Sequence, residues 1–112
     1  MDTSNSTEAP ILVVAALSRE LAELARKSHP ALALLETGEG IVNAERHLEA
    51  WLEQRKARAV LSIGFAGALS SALKPGDLVI ADEVRGSSAV PDAKLLTAAR
   101  RVGAGGDRKS VV

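Results

Sequence analysis

Seven apolar residues in succession, Ile11 to Leu17, form the longest apolar run of the chain. A run that is apolar at every position, rather than at alternate ones, predicts a strand buried on both faces, the usual look of an inner strand of a parallel sheet. Helical spacing follows at once. Leu21, Leu24 and Ala25 recur behind Ser18, a residue type that suits a helix N-cap. His29-Pro30 ends that helix, because the residue before a proline is pushed out of the helical region. Ala31 to Leu35 is a second short apolar run, and the turn Thr37-Gly38-Glu39-Gly40 leads from it into a long amphipathic helix. There Ile41, Ala44, Leu48 and Leu52 make the apolar stripe, and Glu45, Glu49, Glu53 and Lys56 take the polar faces. Trp51 borders the stripe and is read as a core or interface residue rather than a stacking platform. Ala57 to Ile63 is a third strand and Leu78 to Val84 a fourth, and Pro91-Asp92 opens a last helix with Leu95, Leu96 and Ala99 facing inward. Strands alternating with helices predict a three-layer α/β sandwich around a mostly parallel or mixed central sheet.

The stretch from Val60 to Val84 carries the densest signals. Val60 to Ile63 predicts a buried strand that ends at Gly64, and Gly64-Phe65-Ala66-Gly67-Ala68 is a small-residue loop whose backbone a ligand can approach closely. Lys74-Pro75-Gly76-Asp77 is a turn, with Pro presetting φ at its second position and Gly accepting positive φ at its third. Two readings fit this pattern: a ligand floor, or a plain strand pair with a tight connection. Ser18, Arg19 and Glu20 follow the first strand's carboxyl end, where open α/β sheets bind ligands. Glu20 is the one carboxylate there with little but apolar chain around it. It suits either a chemical role or a first-turn position favoured by the helix dipole.

Composition narrows the function classes. Lys plus Arg equals Asp plus Glu at 14 each, which gives no case for nucleic acid or an anionic membrane as partner. The chain has no cysteine, hence no disulfide framework, thiolate nucleophile or cysteine-based zinc site, in keeping with a cytoplasmic protein. His29 and His47 are the only histidines, and neither has a partner at metal-binding spacing, so no metal is expected. No apolar run is long enough to span a bilayer. Residues 1–9 are polar, lack the basic start of a secretory signal, and are expected to form a loose tail. Without such a signal, the sequon Asn5-Ser6-Thr7 is read as chance. Asp82 and Glu83 are adjacent in a strand, so their side chains point to opposite faces and do not form a catalytic pair.

Three separated motifs carry a family resemblance. The run Gly64-x-Ala66-Gly67-x-Leu69, the Lys74-Pro75-Gly76-Asp77 turn and a strand ending in Asp82-Glu83-Val84 resemble the nucleoside phosphorylase and nucleosidase superfamily. Within it, the chain looks most like the 5′-methylthioadenosine/S-adenosylhomocysteine nucleosidases. Gly38-x-Gly40-x-x-Asn43-Ala44 lacks the third glycine of a dinucleotide fingerprint and instead resembles the second nucleosidase motif, a glycine pair leading into a helix. The resemblance spans residues 11–84. It implies cleavage of the N-glycosidic bond of a purine nucleoside or its 5′-thio derivative, in nucleoside catabolism or salvage, with no organic cofactor and a homodimeric full-length protein.

The resemblance also assigns residues. Ala16-Leu17-Ser18-Arg19-Glu20 fits the spacing at which nucleosidases place the Glu that activates water, so Glu20 is the implied catalytic residue. Leu17, Phe65, Ala66 and Gly67 are the implied substrate contacts, and Arg19 would meet phosphate if the enzyme were a phosphorylase. The sequence departs from the family at two places. Phe65 stands where relatives carry a small hydroxyl residue, and Ser62 where phosphorylases carry Arg. The departures favour hydrolysis over phosphorolysis. A non-catalytic nucleoside-binding α/β module is the alternative from another class.

In the superfamily the Glu that clamps the ribose and the Asp that protonates the purine lie on later strands, and nothing in residues 85–112 resembles those motifs. The expectation is therefore an N-terminal part of the domain, residues 10–104, inactive by itself. Beyond Val102 the helical pattern collapses, and residues 105–112 are expected to be a non-native or disordered tail that no element uses. The last six residues, Asp107-Arg108-Lys109-Ser110-Val111-Val112, resemble the in-frame translation of a short-read sequencing adapter.

Overall fold

The structure is a computed structural model that describes residues 8–65, 71–81, 88, 90–102 and 108–111. The chain divides into two compact units, residues 1–66 and 67–112. The first unit holds β1 (Ile11–Ala15), α1 (Ser18–Lys27), β2 (Leu32–Glu36), α2 (Ile41–Gln54) and β3 (Ala59–Ser62). Its sheet has the order β2-β1-β3 and every pairing is parallel. Ile11 lies opposite both Leu32 and Ala59, so the three strands start level and their loops leave from one end.

The apolar run that predicts β1 lies at the centre of this sheet. Leu12 and Val13 are successive, so they point to opposite faces, yet they are 0% and 1% exposed. Only a central strand covered on both faces buries such a pair. On one face Val13, Ala15 and Leu21 of α1 form a cluster, with Leu24, Leu32, Leu34 and Ile63 packed around it. The α/β architecture thus follows the predicted alternation.

Several local expectations are corrected. Ser18 is the first helical residue of α1 and not its N-cap; Leu17 takes the cap position, and Ser28 closes the helix in the left-handed region at φ 53°. Ser28 N–H donates to the Leu24 carbonyl across this cap. β3 is not buried: Val60 and Leu61, successive and so on opposite faces, are 41% and 43% exposed, so neither face of β3 is fully covered by the described residues. The apolar stripe of α2 is covered only in its middle. Ala44 and Leu48 are half-buried, whereas Ile41 and Leu52 are exposed, as is Val42 beside the stripe. Trp51 is half-buried, and the Arg55 guanidinium lies 4.7 Å from its ring centroid, a cation–π contact.

The second unit contains β4 (Leu78–Ala81), α3 (Ala93–Val102) and β5 (Arg108–Val111). The Lys74–Asp77 turn forms as predicted. Asp77 N–H donates to the Lys74 carbonyl at 3.0 Å, and Gly76 has φ +95°. Asp77 Oδ2 also accepts from Lys74 N–H at 2.8 Å. Asp92 caps α3 by accepting from Leu95 N–H at 3.0 Å. β5 is an element the sequence pattern did not predict. It pairs in parallel with β4, Leu78 opposite Arg108 through Ala81 opposite Val111. An unpaired strand edge offers main-chain donors and acceptors to any extended segment, so this pairing asks little of side-chain pattern.

Candidate functional site

Three loops meet at the carboxyl end of the first unit's sheet. Past the formal end of β2, Thr37 N–H donates to the Ala15 carbonyl at 2.9 Å and Gly38 N–H to the Ala16 carbonyl at 3.0 Å. Past the end of β3, Ile63 N–H donates to the Val14 carbonyl at 3.0 Å. These extra rungs hold the Thr37–Gly40 turn and the Ile63–Phe65 segment on either side of the β1–α1 turn. Gly38 and Gly40 have φ +82° and +94°, values that favour glycine, and they let the chain reverse into α2. Asn43 supports the reversal by donating from Nδ2 to the Glu39 carbonyl at 2.8 Å.

Between the loops lies a cavity of about 390 Å³. Val14, Ala15, Ala44, Leu48 and Ile63 give it apolar walls, and Glu20, Thr37 and Ser62 supply side-chain oxygens. The described lining residues include no Lys, Arg or His. Among the described residues there is no group of three or more His, Cys, Asp or Glu placed to hold a metal ion.

Glu20 is the charged group of the cavity wall. It lies in the first turn of α1, and its carboxylate is held by two main-chain donors. Oε1 accepts from Leu17 N–H at 3.0 Å, the N3-to-cap half of a capping box. Oε2 accepts from Phe65 N–H at 3.0 Å, across 45 residues of sequence. The Phe65 N–H is the main reason the Glu20 carboxyl lies below the ordinary glutamate range; partial burial opposes it, and Leu17 N–H, the Arg19 charge and Ala16 N–H add to the lowering. Glu20 is therefore an anion at neutral pH.

The other residues singled out from the sequence take different places. Leu17 and Phe65 reach Glu20 through their main-chain N–H groups. The Phe65 ring is 72% exposed and outside the cavity wall. Arg19 is exposed on α1, outside the lining, and acts on Glu20 through its charge. Ala66 and Gly67 lie outside the described residues, as do Asp82 and Glu83. His29 serves its turn, Nδ1 accepting from Ala31 N–H at 3.0 Å.

Thr37 is the cavity residue that the sequence reading missed. It is 6% exposed, and its hydroxyl donates to the Gly38 carbonyl at 2.9 Å. Its position one residue before the glycine pair was the available signal, since every loop at this end of a parallel sheet faces the same crevice.

The sequence profile of the Phosphorylase superfamily matches residues 22–100. The chain belongs to the phosphorylase superfamily. The matched span of this phosphorylase-superfamily chain contains the glycine pair, Gly64, the Lys74–Asp77 turn and most of α3, and begins two residues after Glu20. No solved structure matches the chain. No helix among the described residues is long and apolar enough to cross a membrane.

Proposed function

We propose that this superfamily member serves the hydrolysis of the N-glycosidic bond of a purine nucleoside or its 5′-thio derivative, with water as nucleophile and Glu20 as the group that orients and deprotonates it. The observation that carries the reading is the Glu20 carboxylate fixed in the wall of a cavity whose described lining holds no cation. Glycosidic cleavage passes through a cationic ribosyl state, and an anionic wall stabilises that charge while a carboxylate takes the proton of the attacking water. Two N–H donors occupy one acceptor site on each oxygen and leave further lone pairs for water. Apolar walls suit a ribose face and a 5′-thio group.

Phosphorolysis would need cationic groups around the attacking anion. Arg19 is the nearby candidate, but it lies outside the described lining. Cleavage also needs a proton donor for the leaving base, which the resemblance places on later strands. We therefore propose that the 112-residue chain binds nucleoside without releasing its base.

The test follows base release from 5′-methylthioadenosine, inosine and adenosine, with and without phosphate. The chain alone is expected to release none. Extended by the later strands of the domain, it should release base without phosphate, and Glu20→Gln should lower turnover by about a hundredfold or more. A strict need for phosphate would make the protein a phosphorylase. Binding without turnover in the extended protein would make it a nucleoside-binding module.

A further inference from the structure

Gly64 stands where β3 leaves the sheet, and its backbone lies outside the left-handed region. Conformation therefore does not call for glycine at this position. Its surroundings do. A Cβ on residue 64 would stand 3.1 Å from Glu20 Oε2 and 3.6 Å from its carboxyl carbon. That oxygen is the one that accepts the Phe65 N–H. The carboxylate lies so close to the open side of Gly64 that a side chain there would press on it.

We propose that Gly64 is a positioning residue: its lack of a side chain lets the Glu20 carboxylate dock on the Phe65 N–H and stay fixed between the exits of β1 and β3. The importance of that placement for chemistry rests on the nucleosidase reading above; the placement itself does not. A methyl group at residue 64 meets the far end of a flexible side chain and not backbone, so the carboxylate gives way and the fold survives. The bond to Phe65 is then stretched by a few tenths of an ångström. The bond from Leu17 N–H to Oε1 is local to the first turn of α1 and persists. The tie between the first loop and the third is weakened, while the helix cap remains.

These two bonds give separate readouts in the 112-residue chain. The amide proton shifts of Leu17 and Phe65 should both follow the titration of Glu20. Arg19 and Glu23 are the charged neighbours on its own helix, Glu23 paired with Arg26, and the cavity lining from β1, β3 and the Thr37–Leu48 segment carries no other titratable group among the described residues. In Gly64→Ala the Phe65 amide should show a smaller titration shift than in wild type while the Leu17 amide keeps its own, and the Glu20 midpoint should move up toward the ordinary glutamate value. Wild-type titration of Phe65 in Gly64→Ala would overturn the proposal. Glu20→Gln, which keeps the volume at residue 20 and leaves Gly64 in place, should flatten both amides; a Phe65 titration that survives it would also overturn the proposal. Adding 5′-methylthioadenosine to the wild-type chain tests the nucleosidase reading separately. Absence of any shift at Glu20 or Gly64 would sink that reading, with the anchorage of the carboxylate still measured by the variants.

Discussion

Leu12 and Leu61 sit on neighbouring strands one rung apart, and truncating each to Ala should have very different consequences. Leu12 is 0% exposed in the central strand, and Leu61 is 43% exposed in β3. Leu→Ala removes roughly three carbon groups, worth about 2.4 kcal/mol of transfer free energy when fully buried, at ~0.8 kcal/mol each. At Leu12 the void is enclosed by sheet neighbours, and a residual cavity of about 60 Å³ adds roughly 1.5 kcal/mol. The expected loss is about 4 kcal/mol. At Leu61 a little over half of the transfer value applies and the gap opens to solvent, so the loss is about 1.4 kcal/mol. Urea unfolding followed through Trp51, the single tryptophan and a residue of the same unit, measures both. With a slope of roughly 1 kcal/mol/M, the two midpoints should differ by about 2–3 M, with Leu12→Ala the weaker. An unfolded Leu12→Ala beside a cooperatively folding Leu61→Ala is the extreme form of the same result. Equal losses, or a larger loss at Leu61, would refute the placement of β1 at the centre and β3 at an exposed edge.

Three further outcomes are expected. Gly38→Ala places a Cβ at φ +82° and 3.3 Å from Asn43 Nδ2, so it should destabilise the first unit by about 1–2 kcal/mol; Asn43→Ala should not restore the loss, because the φ strain remains. The folded-state pKa of Glu20 is depressed, so its contribution to stability is present above the unfolded value of about 4.5 and disappears as pH falls through the folded value. Urea midpoints measured downward from pH 5 should therefore fall more steeply for wild type than for Glu20→Gln, and parallel curves would contradict the anchorage. Leu61→Lys puts a charge on the exposed β3 strand and should raise the soluble fraction of the chain on centrifugation, an increase that an already covered edge would not show.

What was legible in the sequence depended on how local its cause was. Leu12 and Val13 announce a central strand because seven apolar residues in succession leave no face for water. The Lys74–Asp77 turn is legible because Pro75 and Gly76 each meet a conformational demand within the turn. Glu20 was singled out by its place after β1 and by resemblance, but its bond to Phe65 crosses 45 residues, and no local pattern encodes that contact. Gly64 was read as a place for ligand approach, whereas the group that approaches it is the chain's own carboxylate. The exposure of Val60 and Leu61 was missed because apolar content predicts burial only where a neighbouring element covers the strand. β5 was missed because strand addition is a main-chain event that Arg108 to Val111 do not advertise.

The central claim is that the cavity beside Glu20 receives a nucleoside. The most direct measurement is a titration of the 112-residue chain with 5′-methylthioadenosine, read by amide chemical shifts. Saturable shifts are expected at Glu20, Thr37, Gly38, Ile41 and Gly64, with little change in α3. Unchanged shifts at millimolar ligand, or shifts confined to α3, would contradict the claim.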